Sequence, residues 1–117
     1  MNALMNHIGE RKRFYAKCLQ FRKKKIYGGV LVDTILIGKV TDATTGNELK
    51  DHAWIELTPA IREVQVNCGD WFSFDANVGT YIKGVRHKTN KTLEKAQMSF
   101  DAGLFGIQNV IVMKGEI

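Results

Sequence analysis

The stretch that decides the fold is Trp71-Phe72-Ser73-Phe74-Asp75-Ala76-Asn77-Val78-Gly79-Thr80-Tyr81-Ile82-Lys83. From Phe72 to Val78, apolar residues occupy every second position and polar residues fill the positions between them. A period of two residues is typical of a strand with one buried face. We therefore predict a long strand whose core-facing residues are Phe72, Phe74, Ala76 and Val78. Gly79 interrupts the pattern and predicts a bulge or a sharp bend.

Other parts of the chain have strand character as well. Residues 30–42 are rich in β-branched and aliphatic side chains, which favour strands. Residues 13–25 alternate roughly, although a basic amphipathic helix over about residues 6–24 is the alternative for that segment. Further strands are predicted at residues 52–57 and 105–114, with a short one through Val64 and Val66.

Turn signals separate these strands. Tyr27-Gly28-Gly29 and residues 42–47 predict tight turns. Thr58 can cap a helix and Pro59 suits its first position, so one helical turn is expected over residues 58–63. Residues 84–104 are polar and basic without a strong period and predict a long loop.

The order of the elements predicts the topology. Two strands, a third joined by a hairpin, a short helical break, a long strand, a loop and a last strand are the order of the OB-fold, a five-stranded Greek-key barrel. We expect an all-β chain with short helical segments. At 117 residues it is expected to form a single OB-like domain, residues 1–117, with residues 1–12 as an N-terminal extension.

The positive charge of the chain is concentrated in two places. Residues 1–25 carry a local net charge of +7, whereas the whole chain carries only +5. A second cluster of five basic residues with one acid lies within residues 83–95. These clusters fall at the predicted connections between strands one and two and between strands four and five. In OB-folds these loops flank the nucleic-acid-binding face, so a polyanion is the expected partner.

Three stretches carry a resemblance to known proteins: Asp51-His52-Ala53-Trp54-Ile55-Glu56-Leu57, the start of the long strand from Gly69 to Val78, and Tyr81-Ile82-Lys83-Gly84. Together they resemble a pattern in small OB-fold nucleic-acid-binding proteins of bacteria and mobile elements. The resemblance covers about residues 30–84. It implies the fold and nucleic-acid binding of the OB kind, and it brings no catalytic residues.

Two kinds of side chain suit a single-stranded nucleic acid. Long cations contact phosphates, and aromatic rings stack on bases. Trp71 points opposite Phe72 and Phe74, and Trp54 is exposed if Ala53 and Ile55 face the core. The candidate binding residues are Tyr15, Lys17, Phe21, Arg22, Lys23, Lys24, Lys25, Trp54, Trp71, Tyr81, Lys83, Arg86, Lys88 and Lys91.

Other chemistry has little support in the sequence. Cys18 and Cys68 have no Cys or His at metal-ligand spacing, so no metal and no cofactor are expected, and two free thiols are expected rather than a disulfide. No nucleophile, P-loop or paired-carboxylate signature is present. A nuclease built on Asp51, Asp70 and Asp75 stays an alternative at this point, although Asp70 is more typical of a turn.

The sequence thus predicts a non-catalytic, cytoplasmic nucleic-acid-binding protein whose main partner is single-stranded DNA. No apolar run approaches the roughly 20 residues of a membrane span, so no membrane association is expected. The alternative is a protein-interaction module, or an inhibitor of a nucleic-acid-processing machine encoded by a mobile element. In that case the basic surface meets an acidic protein partner.

Overall fold

A computed structural model describes residues 3–25, 27–83 and 99–113. Short 3-10 helices form at Ala3–His7 and Tyr27–Gly29, and no helix in the described ranges has the length and apolar character needed to cross a membrane. The remaining elements are β1 (Arg11–Lys25), β2 (Leu31–Asp42), β3 (Glu48–Glu56), α1 (Pro59–Glu63), β4 (Trp71–Lys83) and β5 (Ser99–Met113).

The five strands form one antiparallel sheet in the order β3-β2-β1-β4-β5. Strands β1, β2 and β3 are joined by two consecutive turns, and β4 returns to lie beside β1, which is the Greek-key arrangement. The predicted all-β class is confirmed. The alternative of a helix over the first basic segment is wrong, because residues 14–25 pair with β2 and residues 11–17 pair with β4.

The core lies on the predicted face of β4. Phe72, Phe74 and Ala76 are completely buried and Val78 is nearly so. Strand β1 contributes Phe14, whose ring centroid lies 5.9 Å from that of Phe74. Burial of apolar side chains in alternate positions of adjacent strands is what makes one face of the sheet the inner face.

The sheet is not closed into a barrel, which corrects the sequence prediction. In the part of the chain that the structure describes, its edge strands β3 and β5 are joined by no backbone ladder. Gly106 and Asn109 have positive φ values of 64° and 53°, and the β4–β5 register shifts on the β5 side at both places. Such bulges bend a strand, and the bulge at Gly106 lies in the part of β5 that faces the end of β3.

A side-chain bridge joins the two edges instead. Lys50 of β3 donates from Nζ to Asp101 Oδ2 and to the Ala102 carbonyl oxygen of β5, both at 3.1 Å. Farther along, residues 54–56 of β3 face residues 104–107 of β5 across a shared cleft. Residue numbers rise together on the two edges, so β3 and β5 run parallel across the gap, which we call the seam.

Gly79 does not form the bulge that the sequence predicts. It pairs in regular register with Gly103 of β5. A Cβ atom at Gly79 would lie only 3.2 Å from the ring of Phe105, so the glycine provides room for that ring. The close approach of an aromatic side chain is therefore the physical reason for this residue.

Two smaller predictions are also wrong, and a third is confirmed only in part. No strand passes through Val64 and Val66, because Gln65 between them has a left-handed φ of 54°. The predicted loop extends too far, since β5 begins at Ser99, and residues 84–98 lie outside the described residues. The helical turn after β3 is confirmed as α1, but the Thr58 side chain makes no capping hydrogen bond.

Candidate nucleic-acid interface

Arg22 and Trp54 form the centre of the candidate interface. Arg22 of β1 pairs with Thr34 of β2, and Thr34 pairs with Glu56 of β3, two residues beyond Trp54. This register places the Arg22 guanidinium carbon 5.4 Å from the centroid of the Trp54 ring, which is cation–π geometry. Trp54 is 42% exposed, because Ala53 and Ile55 beside it face the core as the alternation requires.

A second exposed aromatic residue, Phe105, lies across the seam from Trp54. Both residues line a cleft of about 310 Å³ between the edges of β3 and β5. Residues 54–56 and Thr58 form one side of this cleft and residues 104–107 form the other. We call it the seam cleft. Phe105 is 45% exposed, so its ring is available at the molecular surface.

Tyr81 extends this aromatic surface along the β4–β5 hairpin. Its ring covers Gly103, while the ring of Phe105 covers Gly79, so the two aromatic side chains lie diagonally across one glycine pair. The Lys50 ammonium lies 5.9 Å from the centroid of the Tyr81 ring, and Tyr81 is 40% exposed. Trp54, Phe105 and Tyr81 thus follow one another along the seam, and we call them the aromatic row.

The cations in the first part of the basic N-terminal segment are bound by groups within the fold. Arg13 donates to Asp75 Oδ1 at 3.0 Å and to Ser73, and Lys12 lies 3.2 Å from Asp42 Oδ2. Arg11 donates to the Gly106 carbonyl oxygen and to Gln108. The local charge of +7 is therefore not one free positive surface, because these cations mainly hold β1 against its neighbouring strands and turns.

Lys23 is also paired. Its Nζ lies 2.7 Å from Asp33 Oδ1, and Arg62 of α1 lies 2.6 Å from the other carboxylate oxygen. These two hydrogen bonds, Lys23 first, hold the pKa of Asp33 below its usual range. In contrast, Arg22 and Lys25 make no ion pair with any residue in the described ranges. Their charge is available to a phosphate, and Lys17 makes no ion pair in these ranges either.

Tyr15, Lys17 and Trp71 form a separate group on the outer side of β1 and β4. Lys17 pairs with Trp71 in the ladder, and the Tyr15 and Trp71 rings meet edge to face with centroids 6.1 Å apart. Both rings are half-buried. Trp71 does point away from Phe72 and Phe74, as predicted, but its ring packs against Tyr15 and not in the aromatic row.

The other predicted residues are distributed as follows. Phe21 is exposed and lines a cleft with Arg22, Lys23 and Leu57, next to the Arg22–Trp54 pair. For Lys24 and Lys83 the structure describes the backbone in β1 and β4. Arg86, Lys88 and Lys91 lie outside the described residues, so their roles stay predictions.

Phe105 and Lys50 were missed by the sequence analysis. The apolar residues between Ile107 and Val112 indicate only the buried side of the last strand. Phe105 lies just before the β5 bulges, which change the residues that face outward, so the alternation does not predict its exposure. The signal that could have identified it is the pair Gly79 and Gly103, since glycines in strands often accommodate a neighbouring aromatic ring. Lys50 carries no comparable local signal.

The cysteines and acids form no metal site in the described ranges. Both cysteines are free thiols, Cys18 buried and Cys68 exposed. Burial, together with the nearby Cys68, raises the pKa of Cys18 to about 12, so it stays a protonated thiol. No group of three His, Cys, Asp or Glu residues that could hold a metal ion occurs in these ranges.

Asp75 is committed to structural contacts. It accepts hydrogen bonds from Asn109 Nδ2 at 2.6 Å and from Arg13, and these bonds, Asn109 first, lower its pKa. Asp70 accepts a hydrogen bond from the Asn67 backbone N–H within a turn, as its sequence context suggests. Asp70 and Asp75 therefore serve different local structures, and Asp51 is exposed on β3.

Comparison with known proteins adds no family. The chain matches no protein-family model, no curated protein and no solved structure.

Proposed function

We propose that this protein binds single-stranded DNA without catalysis. The observation that carries the proposal is the aromatic row of Trp54, Phe105 and Tyr81, with the unpaired cation Arg22 at one end. Exposed aromatic rings beside cations suit the stacking of unpaired bases and the contact of their phosphates. A double helix hides the faces of its bases, so the surface suits single strands better than duplexes.

We further infer that the fold is an opened member of the OB class. The strand order β3-β2-β1-β4-β5 and the parallel course of β3 and β5 across the seam support this assignment. OB-folds are partly open Greek-key barrels whose second and third strands carry the ligand face. Trp54 lies on β3 and Arg22 contacts it from the end of β1, in keeping with that location.

Titration with fluorescently labelled oligonucleotides tests the proposal. We expect a short single-stranded DNA to bind, and its affinity to fall as salt rises, with a slope of about −0.7 in log affinity against log salt for each neutralised phosphate. A duplex of the same length and label is the control and should bind more weakly. If neither form binds at low salt, the proposal is wrong, and an acidic protein partner for the Arg22–Trp54 surface becomes the better hypothesis.

A further inference from the structure

We propose that the seam cleft binds one nucleobase of the strand and prefers guanine to thymine. This inference rests on the proposed function, because the base is delivered by a strand lying along the aromatic row. It adds a discriminating site to a surface whose stacking and phosphate contacts are otherwise insensitive to sequence.

The shape of the cleft limits what can enter it. Its volume of about 310 Å³ is at the small end of the range for ligand pockets, which suits one ring system and not a folded segment. The Lys50–Asp101 bridge spans the seam on one side of it. On the other side β3 ends and the chain enters α1, which packs against β5. An extended peptide strand therefore has no continuous edge to pair with.

The lining of the cleft is suited to an aromatic base. The buried side chains of Ile55, Leu104 and Ile107 line it, and each is nearly inaccessible to solvent. Trp54 on one edge and Phe105 on the other are the exposed aromatic side chains of the lining. A flat ring that enters between the two edges replaces contacts with water by contacts with apolar atoms, while its sugar and phosphate stay at the surface near Arg22.

Two residues that line the cleft carry polar groups with unused hydrogen-bonding capacity. The Thr58 Oγ1 atom is buried and has no hydrogen-bond partner among the residues described. A buried hydroxyl without a partner is costly and uncommon in folded proteins, so a ligand that supplies the partner is favoured. The Glu56 carboxylate also lines the cleft, and it makes no hydrogen bond or ion pair with residues in those ranges.

The Glu56 carboxylate determines which base the cleft prefers. An ionised carboxylate only accepts hydrogen bonds, and it can accept two at once. Guanine presents N1–H and the N2 amino group side by side, and its O6 can accept from the Thr58 hydroxyl. Thymine presents a single N3–H between two carbonyl oxygens. A carboxylate repels these two oxygens, because both carry partial negative charge. Glu56 therefore favours guanine and disfavours thymine, while the phosphates of the same strand are held by Arg22.

Fluorescence anisotropy with three matched oligonucleotides tests this assignment. The first is oligothymidine of about 12 nucleotides, within the range of site sizes for one OB-fold. The second carries one central deoxyguanosine, and the third carries deoxyinosine there, which lacks the 2-amino group. We expect the guanine to raise the affinity about tenfold over oligothymidine, the order expected of one bidentate base contact, and inosine to lose most of that gain.

Matched variants connect the preference to the cleft. Glu56→Gln removes the second acceptor and should bring the guanine oligonucleotide to within about twofold of oligothymidine. Glu63→Gln on α1 makes the same change of charge outside the cleft and should keep the preference. Equal binding of all three oligonucleotides by the unmodified protein, or equal behaviour of the two variants, overturns the assignment and leaves the proposed function intact. Failure of oligothymidine and the guanine oligonucleotide alike to bind overturns both proposals.

Discussion

The Arg22 guanidinium lies over the indole ring of Trp54, with 5.4 Å between the guanidinium carbon and the ring centroid. The two residues come from β1 and β3, on either side of β2, and Arg22 is in register with Glu56, two residues beyond Trp54. A cation held against an exposed ring places a phosphate contact beside a stacking platform. The pair therefore links the basic segment of the chain to the aromatic row.

Replacing Phe74 should destabilise the protein strongly. Phe74 is completely buried and packs against both Phe14 and Phe72, so Phe74→Ala removes a large apolar side chain and leaves a cavity. We expect a loss of about 3–5 kcal/mol in denaturant unfolding. Phe100→Ala, at a ring that is 60% exposed, is the control and should change stability by less than about 0.5 kcal/mol. Similar losses in both variants would contradict the assignment of the inner face.

Arg22 and Lys23 should contribute unequally to nucleic-acid binding although they are neighbours. Arg22 has no described acidic partner, whereas Lys23 already pairs with Asp33. Arg22→Gln should therefore weaken the binding of single-stranded DNA and reduce the salt slope by about 0.7, the contribution of one phosphate. Lys23→Gln should have a smaller effect on both quantities. The reverse order in a salt titration would show that the Lys23–Asp33 pair opens on binding.

The two tryptophans should respond differently to an oligonucleotide. Trp54 lies in the aromatic row, whereas Trp71 packs edge to face on Tyr15. We expect quenching of tryptophan fluorescence to persist in Trp71→Phe and to disappear in Trp54→Phe. Trp54→Ala should also cost about 1–3 kcal/mol of binding free energy, the range for one stacked base. If the quenching disappears in Trp71→Phe and persists in Trp54→Phe, the interface lies at the Tyr15–Trp71 group instead.

The two cysteines should differ in reactivity in the folded protein. Cys68 is exposed, whereas burial raises the pKa of Cys18 to about 12 and removes it from solvent. Since the thiolate is the reactive form, a disulfide exchange reagent should label Cys68 in the native state and Cys18 only after unfolding. Cys68→Ser should abolish native-state labelling. Rapid native labelling of Cys18 would show that the contact of β1 with the Asn67–Asp70 turn opens readily.

Acid should weaken the fold through Asp42. Burial raises the pKa of this carboxyl, but the Thr44 backbone N–H and Lys12 outweigh it, so the pKa is lowered overall. Because the pKa of Asp42 is lower in the folded than in the unfolded state, its carboxylate stabilises the folded protein at pH values above the unfolded pKa of about 3.9. That contribution is lost as the pH falls through the pKa of the folded state. Asp42→Asn should flatten the dependence of unfolding free energy on pH below about 4. An unchanged pH dependence in Asp42→Asn would contradict this role of the carboxyl.

The sequence alone determines β4 and its inner face. Alternation over Phe72, Phe74, Ala76 and Val78 is a local property, because successive side chains of a strand point to opposite faces whatever the partner strand is. The exposure of Trp54 follows in the same way from the burial of Ala53 and Ile55. Charge counting likewise located the basic segment that contains Arg22.

Only the tertiary structure decides which of these residues act together. Phe105 and Trp54 line one cleft because β5 lies across the seam from β3, although the two residues are far apart in the sequence. No local pattern encodes that proximity. Ion pairing also depends on the fold. Lys12, Arg13 and Lys23 form ion pairs with acids on neighbouring strands, whereas Arg22 forms none with a described residue. Strand periodicity is set by neighbouring residues, whereas a binding surface is set by contacts between residues distant in sequence.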